Sequence, residues 1–370
     1  MKPLCFVLMP FGRKTDASGQ LTDFDEAPLR GLPYKIDAGG LPDAAEADTA
    51  AVTSRLRAAR ADWHDDSPLF QLVEDMPRVE VDHAKTDIFR DRVDKAKGLK
   101  DRLALARRSG KVAVRSIAAE PGFANLIDVD TTTIVDLFLS FRDVGGHQEM
   151  VDLYARMPKP LQRTRMVQEQ LGFALNRLGQ SEEAERTLLE VIKTFGASSE
   201  TNGLLGRVYK NRWEAAKEAG RVLEARGFLG RAIETYLAGF QADWRDPYPG
   251  INALTLMEIA KQLDEQKNLL PVVRYAALQR THKGGDYWDH ATLLELAVLA
   301  RNIDEATSAA AAALAVARAP WEPETTLRNL RLIRQTRQER GEDVGWVAEI
   351  EHELEQAAAA FKGASEAAKG

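Results

Sequence analysis

Two stretches decide the fold: residues 131–164, TTTIVDLFLSFRDVGGHQEMVDLYARMPKPLQRT, and residues 165–198, RMVQEQLGFALNRLGQSEEAERTLLEVIKTFGAS. Each spans one period of about 34 residues, and a third stretch begins at Ser199. Small and apolar residues occupy matching places: Phe138, Phe141, Gly145, Met150, Tyr154 and Met157, then Gly172, Leu175, Gly179, Ala184, Leu188 and Val191, then Gly206 and Tyr209. This constant period is typical of a tetratricopeptide array of helix pairs.

The repeats predict a mainly α protein built as a tetratricopeptide-like α-solenoid. No single pair can bury its apolar face alone, so consecutive pairs must stack. We expect a curved superhelix whose hollow side binds other macromolecules. A binding protein is therefore favoured over an enzyme, although an enzyme stays open, and no catalytic residue is assigned.

The third repeat carries an insertion. Met150 and Ala184 occupy the same repeat position, and counting one further period of 34 residues reaches Glu218. The charge of Glu218 does not suit a close helix contact. Ala232 is a small residue with neighbours that match the repeat pattern. The insertion therefore moves this repeat position from residue 218 to residue 232. Shared between the two helices, it should lengthen each by about two turns.

Downstream, the pattern predicts two further pairs and a closing helix. Asn252, Ala253 and Leu256 belong to a fourth pair, whose second helix is expected to enter at Pro271. Leu294, Ala297, Ala306, Ala310 and Ala313 define a fifth pair. An amphipathic helix over 325–340 should cap the array, and residues 357–370 should be frayed or disordered.

Upstream, a small α/β segment is predicted. Residues 1–12 form a short apolar strand, residues 13–22 a polar loop, and residues 43–60 a helix. Helices over 87–108 and 111–119 should cap the array. The expected organisation is thus a truncated α/β segment with its connector over 1–66, a helical cap over 67–130, the array over 131–340, and a C-terminal helix and tail over 341–370.

Charge and composition exclude several classes of function. The net charge is −6, which disfavours nucleic acid as a partner because phosphate binding needs a basic face. The one cysteine, Cys5, cannot form an internal disulfide, and a buried structural thiol is favoured over a reactive one. The sequence shows neither a secretory signal nor a membrane span, so we expect a cytoplasmic protein without a membrane partner.

Metal and cofactor sites are not expected. No two of the six histidines stand at metal-ligand spacing. Asp62, His64, Asp65 and Asp66 could form a cation loop, but a solvated acidic turn is favoured because the Gly and closing Glu of a calcium loop are missing. Phosphate-binding glycine loops are also absent from the sequence, so no cofactor is assigned.

Two aromatic clusters are the candidate partner-binding residues. The first comprises Trp244, Arg245, Asp246 and Tyr248 in a turn between pairs, and the second comprises Tyr287 and Trp288 at the start of the fifth pair. Tryptophan, tyrosine and arginine are enriched at interface hot spots. Helix capping and packing between pairs is the alternative role for both clusters.

A family resemblance covers most of the chain. Six motifs carry it: DLFLSFRD (136–143), FALNR (173–177), GRVYK (206–210), YPGINAL (248–254), YWD (287–289) and NLRLIR (329–334). The segment from Asp87 to Arg340 resembles the TRAFs-binding, tetratricopeptide-containing regulatory region of the apoptosis-signal-regulating protein kinases and its bacterial relatives. That resemblance implies a docking scaffold without the kinase domain.

A second resemblance concerns the N-terminal segment. Phe6 to Gly12, followed by Asp23, Phe24 and Asp25, resembles the opening of a deoxyribohydrolase or nucleoside deoxyribosyltransferase-like domain. PLRGLPYKID (28–37) resembles the far end of such a domain, and the middle, with its acidic catalytic segment, has no counterpart here. The resemblance implies a shortened nucleotide-binding fold.

Three hypotheses for function follow. The favoured one is an intracellular scaffold in signalling that binds protein partners through the array. The alternative is a protein that binds or hydrolyses a nucleotide or nucleoside derivative through its N-terminal segment. A homo-oligomerisation device is the third.

Overall fold

The computed structural model describes residues 13–15, 21–23, 97–282 and 284–367. The chain divides into two units, Met1–Ile88 and Phe89–Gly370. In the first unit, strands β1 (Arg13–Thr15) and β2 (Leu21–Asp23) pair antiparallel, with Arg13 opposite Asp23. The prediction of a loop here was wrong, because a two-stranded ribbon is held by backbone hydrogen bonds and needs no apolar pattern. The predicted strand over 1–12, the helix over 43–60 and the truncated α/β fold lie outside the described residues.

The described part of the second unit is helical. The first helix, α1, covers residues 97–109 and is followed by α2 (Lys111–Ala118). Two short 3₁₀ turns come after α2, Pro121–Phe123 and Leu126–Asp128. The remaining helices are α3 (Thr131–Asp143), α4 (His147–Arg156), α5 (Lys159–Gln162), α6 (Arg165–Arg177), α7 (Ser181–Phe195), α8 (Ser199–Glu218), α9 (Val222–Ala242), α10 (Pro247–Ala260), α11 (Leu263–Thr281), α12 (Tyr287–Leu299), α13 (Ile303–Val316), α14 (Trp321–Gln338) and α15 (Gly345–Ala367).

The predicted α-solenoid is confirmed. Six helix pairs stack in chain order: α3 with α4, α6 with α7, α8 with α9, α10 with α11, α12 with α13, and α14 with α15. Small residues lie where the two helices of a pair cross. A Cβ atom on Gly172 would stand 2.7 Å from Leu188 Cγ, and one on Gly206 would stand 2.7 Å from the Tyr236 ring. The repeat period therefore marks real helix crossings.

The insertion in the third repeat lies where it was predicted. Helices α8 and α9 have 20 and 21 residues, against 13 and 15 in α6 and α7. Ala232 is fully buried at the helix crossing, while Glu218 is exposed at the end of α8. The added turns make α8 the longest first helix among the six pairs.

Two boundary predictions were wrong. Helix α11 begins at Leu263 and carries Pro271 in its interior. Pro271 is solvent-exposed, so water can satisfy the carbonyl that loses its helical partner. At the other end, α15 runs through Ala367, well into the range expected to be frayed, because Val347, Ile350 and Leu354 dock it onto the core.

The first helices of the later pairs pack against one another. Helices α10 and α12 are buried on almost every side, as expected of helices that are apolar all round. Helix α14 contacts both of them. Lys210 on α8 donates to Asn329 Oδ1 on α14 at 3.0 Å, across 119 positions of sequence. The coil is therefore tight, and the hollow side expected along the whole array is filled by its own helices in the last three pairs.

Buried polar groups connect these inner helices. Asn329 Nδ2 donates to Glu295 Oε1 at 2.9 Å, so Asn329 bridges Lys210 and Glu295. Burial lowers the pKa of Lys210 to about 8 and raises the pKa of Glu295 to about 7. Both shifts have the same cause, since a charge removed from water is disfavoured.

The raised pKa of Glu295 predicts a pH dependence of stability. Its carboxyl has an ordinary pKa of 4.5, so the folded state binds the extra proton between that value and about 7. The stability it contributes is complete below pH 4.5 and is lost as the pH rises through about 7. Relative to Glu295→Gln, the wild type should lose on the order of 2 kcal/mol between about pH 5 and pH 7.5. Urea unfolding of both proteins measures this, and a difference that does not change with pH would contradict it.

Candidate functional site

The turn between α9 and α10 holds four of the predicted contact residues. Trp244 is 51% exposed and packs edge-on against Phe240, with ring centroids 4.9 Å apart. Arg245 pairs with Asp243 on the surface. Asp246 caps α10 by accepting from the Tyr248 backbone N–H at 3.1 Å, and its carboxylate also accepts from the Ser199 hydroxyl. Asp246 therefore holds the turn in place, whereas Trp244, Arg245 and Tyr248 are exposed.

The second predicted cluster separates into a buried and an exposed residue. Tyr287 is 1% exposed, and its hydroxyl lies 2.9 Å from that of Thr326. It packs between pairs, so no partner can reach it. Trp288 is 36% exposed, and its ring lies 5.5 Å from that of Trp321. Asp286 and Asp289 form a capping box at this helix start, which is the capping role given as the alternative.

Trp244, Trp288 and Trp321 form what we call the aromatic edge. Each stands at or just before the N-terminal end of the first helix of a pair, in three consecutive pairs. Trp321 was not predicted as a contact residue, although this tryptophan follows Trp288 at close to the repeat period of about 34 residues. That spacing was the signal that could have found it.

A second feature, the arginine groove, was not predicted. It consists of Arg142, Phe173, Arg177, Arg207, Tyr248 and Arg328. The guanidinium carbons of Arg142 and Arg177 lie 4.9 and 5.2 Å from the centroid of the Phe173 ring. Burial lowers the pKa of Arg177, and the positive charges of Arg207, Arg328 and Arg142 lower it further, so each of these three lies close enough to Arg177 for its charge to act there.

The arginine groove joins residues that are remote in sequence. Arg142, Arg177 and Arg207 belong to the first helices of the first three pairs, while Arg328 comes from α14 and reaches them because the coil is tight. One sequence signal existed, since Phe173 and Arg207 occupy the same position in consecutive repeats. Nothing in the sequence indicated that α14 returns to them.

Tyrosines form the floor of the arginine groove. Tyr248 is 48% exposed and meets the Tyr236 ring edge-on at 6.4 Å. The Tyr236 ring is fully buried, and its hydroxyl lies close enough to the Tyr248 phenol for a hydrogen bond to contribute to its raised pKa. Burial raises the pKa of both phenols, so both are neutral hydrogen-bond donors at physiological pH.

Two other kinds of feature, a metal site and a membrane span, are absent from the described residues. Among the described residues, no three His, Cys, Asp or Glu side chains come together as metal ligands. None of the helices described here combines the length and the apolar composition of a membrane span.

Comparison with known proteins identifies the family. A sequence model of the MAP3K TRAFs-binding domain matches residues 29–352. The chain belongs to this family. The resemblance predicted from the six motifs is confirmed, and the match begins well before Asp87, where the motif-based resemblance started. The MAP3K TRAFs-binding domain supports the coarse conclusion that this chain is a protein-interaction scaffold.

The chain is also similar to individual proteins. The mitogen-activated protein kinase kinase kinase nsy-1 of Caenorhabditis elegans is 31% identical over 233 residues, which is 56% of this chain and 15% of the kinase. The chain thus spans only a small part of that relative's length. Among solved structures, a thermophilic TPR protein of Thermus thermophilus is 15% identical with a TM-score of 0.42, covering 55% of this chain and 99% of its own. A tetratricopeptide repeat protein of Parabacteroides merdae is 13% identical with a TM-score of 0.39, covering 73% of this chain and 98% of its own.

Proposed function

We propose that this chain acts in the cytoplasm as a signalling scaffold that binds a partner protein along the aromatic edge. The observation that carries the proposal is the row of three exposed tryptophans on consecutive pairs of a TRAFs-binding domain. The docking role implied by the family relation to a MAP3K points in the same direction. In this proposal the array over 131–340 supplies the surface, and the helices over 67–130 close its N-terminal end.

The chemistry of the aromatic edge suits a protein partner. Tryptophan buries a large apolar area and retains one N–H donor, and it is the residue type most enriched at binding hot spots. Trp244, Trp288 and Trp321 are 51, 36 and 55% exposed. Each is anchored by another ring, Trp244 by Phe240 and the other two by each other. Anchoring lowers the entropy cost of binding, because the side chains are already held in place.

A matched pair of triple variants tests this proposal. Trp244→Ala, Trp288→Ala and Trp321→Ala should together abolish capture of a specific set of host proteins, since one hot-spot residue contributes about 2 kcal/mol or more. The control combines Val222→Ala, Leu223→Ala and Tyr275→Ala, which are exposed apolar residues on second helices. Affinity capture with quantitative mass spectrometry measures both.

The result must separate the two surfaces. Proteins retained by the control and lost by the tryptophan variant would support the aromatic edge, provided that both variants melt cooperatively. Asp246 and Tyr287 are left unchanged, because the first caps a helix and the second is buried. Identical capture by wild type and tryptophan variant would remove the assigned surface.

A further inference from the structure

The arginine groove contains positive charges without negative partners. Many other arginines of the described chain pair with carboxylates, as Arg212 does with Glu185, Arg280 with Asp289, and Arg334 with Glu351. Among the described residues, Arg142, Arg177, Arg207 and Arg328 have no carboxylate within salt-bridge distance. Arg207 is half-buried and the other three arginines are exposed, so water weakens the repulsion between their like charges without removing it. An anion bound between them would relieve this repulsion.

The acidic side chains near the groove lie at its margins. Glu200 is close enough to Arg142 to feel its charge, and its pKa is raised by burial and by the neighbouring Glu169. Glu214 influences the neighbouring Lys210. The negative field of Glu295 also acts on Lys210, behind the groove. None of these carboxylates forms an ion pair with the four arginines. The guanidinium N–H donors of the arginines are therefore free for a ligand.

We propose that the arginine groove binds an extended acidic segment of a partner protein. This inference goes beyond the proposed function, because it assigns a second surface and the chemistry of its ligand. Packed helices lie about 8–10 Å apart, so α3, α6 and α8 together span roughly 20 Å. An extended peptide of about six residues covers that length, whereas one compact anion does not. Arginine forks bind carboxylates in bidentate fashion, and Phe173 and Tyr248 offer ring faces for the segment's apolar groups.

The charge of the whole chain makes the test stringent. At a net charge of −6, the protein repels an acidic peptide overall, so binding requires a local basic site. The probe is a fluorescein-labelled peptide of about eight residues that alternates glutamate and aspartate, with a glutamine–asparagine peptide of equal length as its neutral control. Fluorescence anisotropy measures binding to the full chain, at low and at physiological salt.

Two arginine variants carry the same change of charge. Arg177→Gln, Arg207→Gln and Arg328→Gln remove the groove, whereas Arg108→Gln, Arg163→Gln and Arg226→Gln alter exposed arginines elsewhere. The groove variant should bind the acidic peptide at least about tenfold more weakly than wild type, because one charge-assisted bond is worth that factor. The control variant should bind almost as wild type does. Without peptide, the groove variant should melt at a higher temperature than the control, since repulsion between like charges has been removed.

Several results would overturn the proposal. These are no binding of the acidic peptide by the wild type up to about 1 mM, equal loss in both variants, or equal binding of the neutral peptide. Stronger groove-dependent binding of a single-stranded oligonucleotide would assign the groove to nucleic acid instead. The aromatic edge is intact in both variants, so failure here leaves the proposed scaffold function untouched, and failure of the tryptophan test leaves this one untouched.

Discussion

Replacing Glu258 by glutamine is expected to lower the free energy of unfolding by about 3–5 kcal/mol at neutral pH. Glu258 and Arg337 are 1 and 2% exposed. Arg337 donates to both carboxylate oxygens, Nε at 3.0 Å and Nη2 at 3.1 Å, and Arg340 donates to the same carboxylate. Glutamine keeps the shape of Glu258 but leaves the buried Arg337 charge with the neutral carbonyls of Val298 and Leu299 and with the Glu342 carboxylate, which is 4.0 Å away.

The loss of unfolding free energy in Glu258→Gln should become smaller at low pH. Burial alone would raise the pKa of Glu258, but hydrogen bonds from Arg337, Arg340 and Gln266 outweigh it and lower that pKa to about 2. The stabilisation by Glu258 is therefore complete above its ordinary value of 4.5 and disappears as the pH falls through about 2. Urea unfolding of wild type and Glu258→Gln should show a difference in the free energy of unfolding that becomes smaller below pH 4.5.

A companion variant separates the ion pair from general damage. Glu258→Met combined with Arg337→Met removes both charges and should be more stable than either single substitution, because no unpaired charge remains buried. If the double variant loses the sum of the two single losses, the two side chains do not interact and the assigned contact is wrong.

Replacing Gly206 by alanine is expected to destabilise the fold, although alanine is the better helix former. The added methyl would stand 2.7–2.9 Å from three atoms of the Tyr236 ring, which is fully buried and has no room to move. Overpacking of this kind costs about 1–3 kcal/mol. Separating α8 from α9 would also disturb the pair that carries the insertion.

A matched control substitution in the same helix pair should change the stability in the opposite direction. Gly227 lies inside α9, where a Cβ would meet nothing within 4 Å. Gly227→Ala should therefore stabilise the protein by about 0.5–1 kcal/mol through helix propensity and reduced chain entropy. Thermal melting of both variants measures the difference. Equal effects at the two positions would show that α8 and α9 do not cross at Gly206.

Much of the array could be predicted from sequence because local packing repeats. The constant period marked Gly172 and Leu188, which the structure brings together at a helix crossing, and comparison with Ala184 located the insertion by rejecting Glu218. Helix ends were harder, since Pro271 is tolerated inside an exposed stretch of α11. The aromatic edge was found in part, because tryptophans are conspicuous in a sequence whereas the partner of Trp288 is set by stacking.

The tightness of the coil could not be predicted. It depends on contacts such as Arg337 with Glu258 and Lys210 with Asn329, which join polar residues from distant helices. In the sequence these residues fall among the charges of amphipathic helices and resemble surface positions. The arginine groove was missed for the same reason, since Arg328 reaches the other arginines only after the coil closes.

A double-mutant cycle on Lys210 and Asn329 tests the closed coil most directly. Lys210→Met, Asn329→Leu and the double variant are compared with wild type by urea unfolding. Residues in contact couple by about 0.5–3 kcal/mol, whereas residues more than about 10 Å apart add independently. In an open solenoid, inner helices three pairs apart would be roughly 30 Å apart at about 10 Å for each pair. The closed coil predicts a coupling above about 0.5 kcal/mol, and a coupling near zero would contradict it.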